Sequence, residues 1–264
     1  MVPADASGAS PSSEGARSVI TVAVFGARGR MGSEVCRAVS AAPDLELGAA
    51  VEVGEDRGPS GGCDVAVDFT HPDAVLDNLL WCVAHGVHAV VGTTGFTEER
   101  LGRVRGHLAR HPGVGVLVAA NFSVGAVLMM HMAAQAAAFY ESVEIVELHH
   151  PDKADAPSGT ATTTAQRVAA ARESAGLGGP PDATVHALDG ARGARVAGVA
   201  VHSVRLRGLV AHQEVLLGAA GETLSIRHDS FDRASFMPGV LAAVRAVGSR
   251  PGLTLGIEEV LGVG

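Results

Sequence analysis

Cysteine is scarce in this chain of 264 residues, and the three present, Cys36, Cys63 and Cys82, lie in separate predicted elements with no Cys-x-x-Cys pair among them. An odd number in that arrangement excludes a disulfide framework and a zinc knuckle, and it fits a reducing, cytoplasmic setting. Net positive charge is also missing. The formal balance of -8 argues against a nucleic-acid surface, which needs a clustered basic face to neutralise phosphates. No apolar run reaches the roughly 20 residues that cross a bilayer without a charge or turn residue intervening. The opening stretch, MVPADASGASPSSEGARS, lacks the continuous apolar centre of a signal peptide and reads as a disordered tail over residues 1–18.

What is present is an apolar fraction of 47%, enough for a well-buried core in a soluble globular protein. From Val19 onward, short β-branched runs alternate with longer amphipathic ones: VITVAVFG, a helix from Arg30 to Ala42, LELGAAVEV, DVAVDFT, a helix from Pro72 to Ala84, HAVVGTT, a helix from Glu98 to Arg110, and VGVLVAANF. That rhythm predicts an α/β fold, a Rossmann-type doubly wound parallel sheet with right-handed crossovers. After Asn121 the texture changes. A small-residue helix from Gly125 to Tyr140 carries Met129, Met130 and Met132, read as core filling, and is followed by the strand ESVEIVEL. VAVHSVRL, HQEVLLGA and ETLSIRHD, joined by short polar or glycine-containing links, read as adjacent antiparallel strands. A second, smaller α+β domain of mixed or antiparallel sheet follows from this. The helical period of FMPGVLAAVRAVGSR and the terminal LTLGIEEVL suggest a return to the first domain, so the expected division is 19–123 plus 235–264 for dinucleotide binding and 124–234 for substrate binding and oligomerisation.

The segment FGARGRMG sets Gly26, Gly29 and Gly32 at the end of the first strand and the start of its helix, where bare backbone lets a pyrophosphate approach the helix amides. Glu52, at the end of the second strand about 20 residues after the last glycine, is placed to accept hydrogen bonds from an adenosine ribose. A tight turn without a ligand is the alternative. Arg28 and Arg30 beside the same turn suit the additional phosphate of NADP, so both dinucleotides are expected to bind, unless these arginines are ordinary surface charges. VGTTGF and AANFSVG close the fourth and fifth strands on the edge where such sheets bind ligands, and they either cradle a nicotinamide or only turn the chain.

One block concentrates reactive side chains: ELHHPDKADAPSGTA, from Glu147 to Ala161. A hydride delivered from a nicotinamide leaves its acceptor anionic, so a proton source with a pKa near neutrality is needed, and His149 or His150 supplies one. Lys153 adds a cation or a second proton. Ser158, Gly159 and Thr160 precede the predicted helix TATTTAQRVAAARESA, whose first amides make a seat for a carboxylate. Taken singly, Ser158 or Thr160 is equally readable as a helix cap and Asp155 as the start of a turn. No metal is expected, because the adjacent histidines have no cysteine or carboxylate at a usual ligand spacing.

From about Val22 to the C-terminus the chain resembles the dihydrodipicolinate reductase family, also called 4-hydroxy-tetrahydrodipicolinate reductases, through GARGRMG, VDFTHP, VGTTGF, AANFSVG, the ELHH to SGTA block, HSVRLRGLVAHQEV, and GETLSIRHDS followed by SFMPG. The resemblance implies NADH- or NADPH-dependent reduction of a cyclic dicarboxylate in lysine and diaminopimelate biosynthesis by a homotetramer. It implies that His149 is the general acid/base and Lys153 a proton donor, with His150, Gly159 and Thr160 touching substrate. It further implies a cofactor lining of Gly26, Ala27, Arg28, Gly29, Arg30, Met31, Glu52, Gly92, Thr93, Thr94, Ala119, Ala120, Asn121 and Phe122, with Arg233 and Phe236 as neighbours. Ala120 stands where many relatives have proline, a departure that loosens the turn before Asn121. Two rivals share the glycine turn: another two-domain nicotinamide dehydrogenase, and a non-catalytic NADP-binding redox sensor. Neither has an evident need for the histidine, lysine and Ser-Gly-Thr block.

Overall fold

The computed structural model describes residues 19–263, so the tail read over residues 1–18 lies outside the described residues. Strands β1 (Ile20–Phe25), β2 (Leu45–Val51), β3 (Val65–Asp68), β4 (His88–Val91), β5 (Gly115–Val118) and β11 (Gly252–Leu255) form a six-stranded sheet in the order β11-β5-β4-β3-β1-β2, parallel throughout. The chain winds outward in one direction from β1 to β2 and in the other from β3 to β5, which leaves a crevice at the C-terminal end of β1. Alternation along β1 explains why both faces are covered. Val22 and Val24 join a core with helices α1 (Arg30–Ala41) and α6 (Met237–Val247), while Ala23 and Phe25 join a core with α2 (Val75–Ala84) and α3 (Glu98–Leu108). The terminal run does return to this sheet, since β11 pairs with β5.

The second sheet contains β6 (Ser142–His149), β7 (Ala194–Val196), β8 (Val199–Arg205), β9 (Ala211–Ala219) and β10 (Glu222–Ser230), in the order β10-β9-β6-β8-β7. Here one expectation is corrected. β9 and β10 are antiparallel neighbours as read, but β8 does not lie beside β9: β6 is inserted between them, and β8 runs parallel to it. A parallel pair needs a long crossover, and α5 (Gly159–Ser174) provides the helical part of that connection between β6 and β8. The short link read as a hairpin therefore passes from one side of β6 to the other. β7 is a further strand that the sequence pattern did not suggest.

Helix α4 (Val124–Ala137) and α5 cover one face of this sheet through Ala133, Ala137, Ala161, Ala165 and Val168, whose small side chains let helix and sheet approach closely. Met129 and Met130 are buried and fill the core between the sheets, as read, whereas Met132 is half exposed. No helix among the described residues is long and apolar enough to cross a membrane.

Candidate active site

The period of two along β6 puts Val143, Ile145, Glu147 and His149 on one face of the strand, and the first three are buried. Glu147 is therefore a carboxylate inside an apolar row, with 0% of its surface exposed. It is not alone there. Parallel pairing of β6 with β8 sets Arg205 opposite His149, and the guanidinium meets Glu147 as a fork, with Nη1 2.9 Å from Oε2 and Nη2 2.9 Å from Oε1. The His149 ring nitrogen Nδ1 lies 2.6 Å from Glu147 Oε2, and the Ser158 amide donates to Oε1 at 3.2 Å. Burial pushes the Glu147 carboxyl up, but hydrogen bonds from Arg205, Ser203 and His149 outweigh it and hold the group below the usual carboxylate range. The ionised carboxylate only accepts, so it fixes the proton on His149 Nδ1 and leaves Nε2 as the nitrogen free to exchange one. Burial also pushes His149 below its ordinary value, opposed by Glu147 and reinforced by the nearby charges of Lys153 and Arg205.

The rest of the block closes round this pair. Ser158 is the N-cap of α5, its Oγ accepting from the Ala161 amide at 3.1 Å, so the capping role weighed for it is realised. Lys153 Nζ is 2.6 Å from Asp155 Oδ1, and the Asp155 carbonyl accepts from Arg205 Nη2 at 2.7 Å. The Lys153 ammonium, assisted by the Gly159 backbone amide, holds the Asp155 carboxyl below its usual range. Thr160 Oγ1 accepts from Asn121 Nδ2 at 3.2 Å, which ties the start of α5 to the end of the β5 loop.

These groups face a cleft of about 780 Å³ lined by His149, Lys153, Asp155, Ser158, Gly159 and Thr160 on one side and by Thr94, Ala120, Asn121 and Gly256 on the other. His149 and Lys153, at and beyond the end of β6, and the loop ends of the first sheet thus share one space. Arg167 of α5 and Glu258, after β11, form an ion pair across its edge. His149, Ser158, Thr160 and Phe236 also border a smaller cavity of about 40 Å³ beside His212, Gln213 and His228. His150 lines neither cavity, and its Nδ1 is buried without a hydrogen-bond partner.

On the first sheet, Gly26 has φ +75°, and a Cβ on Gly32 would overlap the Gly26 carbonyl, so both positions need glycine for the turn to close on its helix. Gly29 caps α1 without any side-chain bond to the first amides, which are left for an external acceptor. Ala27 is buried in the turn, and Met31 packs partly against the core. Glu52 lines a separate pocket of about 290 Å³ with Glu55, Arg57 and Asp77, and its Oε1 accepts the Arg28 amide. Bare glycine backbone, free helix amides and an acid-lined pocket at the next strand fit a dinucleotide.

Other predicted positions do structural work. Thr93 is buried and donates to Asp68 Oδ1 at 2.8 Å, Ala119 and Phe122 lie in the core, and Gly92 is pressed against the Phe69 ring. Arg30 and Arg233 are exposed. Among the described residues no group of three or more His, Cys, Asp or Glu side chains is placed to hold a metal ion.

The sequence reading assigned no role to Glu147 or Arg205. Glu147 stands two residues before His149, the spacing that puts both on one strand face, and an acid in the buried row of a β-strand was the available signal. Arg205 carried none, since its place depends on which strand adjoins β6.

Two family models match the chain, one described as Dihydrodipicolinate reductase, N-terminus over residues 20–122 and the other as Dihydrodipicolinate reductase, C-terminus over 125–261. The chain belongs to the dihydrodipicolinate reductase family. Among its relatives, the 4-hydroxy-tetrahydrodipicolinate reductase of Cutibacterium acnes is 67% identical over 93% of this chain and 100% of its own length. That of Streptomyces coelicolor is 60% identical over 92% and 98%. A solved structure of dipicolinate-bound dihydrodipicolinate reductase from Paenisporosarcina sp. TG-14 superposes with TM-score 0.78 at 39% identity, covering 91% of this chain and 99% of the other. A probable dehydrogenase from Thermotoga maritima, at 11% identity and TM-score 0.59 over 92% of this chain and 93% of its own, shares the fold alone. The C-terminal model of the reductase family runs through α6 and β11, so it takes in a segment that pairs with the first sheet.

Proposed function

We propose that the chain is an NADH- or NADPH-dependent 4-hydroxy-tetrahydrodipicolinate reductase acting in lysine and diaminopimelate biosynthesis. The observation that carries this reading is the Arg205–Glu147–His149 array, built on the buried Glu147 carboxylate, at the mouth of a cleft that also receives the N-terminus of α5 and the loop ends of the first sheet. The reaction converts the hydroxylated ring, by loss of water, to dihydrodipicolinate, then adds one hydride and one proton to give tetrahydrodipicolinate. The dinucleotide, held by Gly26, Gly29, Glu52 and the loops at Thr94 and Ala120 to Asn121, supplies the hydride when bound.

The chain's own residues do the remainder. Glu147 holds His149 with Nδ1 protonated, so that Nε2 exchanges the proton that neutralises the reduced ring. Arg205 balances the buried carboxylate and keeps it ionised. Lys153 brings a cation to the cleft, and a substrate carboxylate competes with Asp155 for it. The amides at Gly159 and Thr160, reinforced by the α5 dipole, seat one carboxylate of the dianionic ring, which takes the Gly159 amide over from Asp155. In this division residues 19–123 plus 235–264 handle the dinucleotide and 124–234 the substrate. The enzyme is a homotetramer in the cytoplasm.

The decisive assay is spectroscopic. NADH or NADPH is consumed only when the cyclic dicarboxylate, generated in place by its synthase, is present. Binding of dinucleotide with no substrate-dependent oxidation would overturn the reading in favour of a redox sensor.

The carboxylate seat has its own test. Gly159 lines the cleft, and a Cβ built on it meets nothing within 4 Å, so the position has room for a side chain beside the carboxylate seat. Gly159→Leu is expected to raise KM for the dicarboxylate by about 10-fold or more, on the order of one lost charge-assisted contact. The melting temperature and the dinucleotide Kd stay near those of the parent.

A further inference from the structure

The pocket beside Glu52 is unbalanced in charge. Its ionisable lining consists of Glu52, Glu55 and Asp77 against Arg57. Arg57 is turned back onto α2, with Nη1 3.1 Å from Asn78 Oδ1 and the guanidinium 5.9 Å from the centre of the Trp81 ring. The nearest cation of the glycine turn, Arg28, is also engaged: Nη2 lies 2.9 Å from Glu55 Oε1. Glu55 is held from its other oxygen by the Glu52 amide, which donates to Oε2 at 2.8 Å. The pair itself does little for stability, because its side chains are 77% and 42% exposed and solvent screens their attraction. Its consequence is electrostatic. The acid that binds Arg28 stands in the ribose pocket, next to the acid suited to the ribose hydroxyls.

We infer that Glu55 is a specificity-determining residue that makes the enzyme prefer NADH over NADPH, by holding Arg28 and adding a negative charge where a ribose 2′-phosphate would enter. This deepens the proposed function and rests on its dinucleotide site. The two cofactors differ at that carbon only by a hydroxyl or a phosphate. The hydroxyl gains an acceptor in Glu52 and meets no penalty. The phosphate brings up to two further negative charges into a lining already rich in carboxylates, and it must compete with Glu55 for Arg28. Removing the Glu55 charge eases both difficulties at once. Glutamine is the informative replacement, since its carbonyl still accepts the Glu52 amide while its NH2 group cannot accept from the Arg28 guanidinium.

Equilibrium binding in the absence of substrate tests this, using calorimetric Kd values for NADH and NADPH with the full-length enzyme. The parent is expected to bind NADH about 10-fold more tightly than NADPH, and Glu55→Gln to tighten NADPH by about 10-fold while NADH changes by less than about 2-fold, the scale of one unit charge at a partly exposed phosphate. Adding Arg28→Ala to Glu55→Gln should abolish most of that gain. Equal or tighter NADPH binding by the parent overturns the inference, as does a Glu55→Gln effect that is the same for both cofactors or that persists in full without Arg28. In each of those cases the dinucleotide site itself stands. Failure of the parent to bind either cofactor overturns the site and the inference together.

Discussion

His149→Ala is expected to lower kcat by about 100- to 10,000-fold, the usual loss when a general acid is removed, while Kd for NADH is unchanged because the dinucleotide seat lies on the other sheet. The cyclic dicarboxylate should still bind, since Lys153 and the α5 amides remain. Stopped-flow oxidation of NADH under saturating substrate measures the first effect and calorimetry the second. Lys153→Ala should behave similarly with a larger rise in KM, because its ammonium also meets a carboxylate. Near-normal kcat in both variants would remove these residues from the chemistry.

The pH dependence follows from the same geometry. His149 acts as an acid, so the active free enzyme carries the imidazolium, and kcat/KM falls as pH rises through its pKa. Burial holds that pKa below the ordinary histidine value, which puts the limb on the acidic side of neutrality in the free enzyme. A dianionic substrate in the cleft stabilises the imidazolium, so the corresponding limb of kcat lies at higher pH.

The second large effect concerns Glu147. Glu147→Gln leaves the Arg205 guanidinium, 21% exposed and still bonded to the Val204 and Asp155 carbonyls, beside a neutral group, so the loss is expected near or below the lower end of the about 3 to 5 kcal/mol that breaking a fully buried pair costs, still a large part of the roughly 5 to 15 kcal/mol that holds a domain together. Denaturant midpoints should drop accordingly. The double variant Glu147→Gln with Arg205→Met removes the orphaned charge and is expected to recover much of that stability. It should not recover the parent pH profile. Loss of the carboxylate that raises the His149 pKa outweighs the relief from removing the Arg205 charge, so the kcat/KM limb moves further to low pH in the double variant, and a scaffold role alone would not produce that shift. A double variant with the parent profile would reduce Glu147 to a structural ion pair.

The sequence by itself determined the parts of this protein that follow from local pattern. Glycine at Gly26 and Gly32 is required by a positive φ and by a helix packed onto its own turn, and both demands are written within a few residues of the strand they end. The doubly wound sheet was legible because β-branched runs and amphipathic helices alternate at the length of a crossover. The block from Glu147 to Ala161 was legible because its proton carriers and helix start are contiguous. Tertiary structure alone decided which strand stands beside β6, and with it the position of Arg205, 58 residues from Glu147. It decided that His150, though adjacent to His149, lines neither cavity, because β6 ends at His149 and the chain turns at His150, whose carbonyl accepts the Lys153 amide. It also decided that Arg28 is bound to Glu55 and is not free in the glycine turn. Pairings of this kind are made by side chains that meet only after the sheets have assembled, and short-range periodicity carries no record of them.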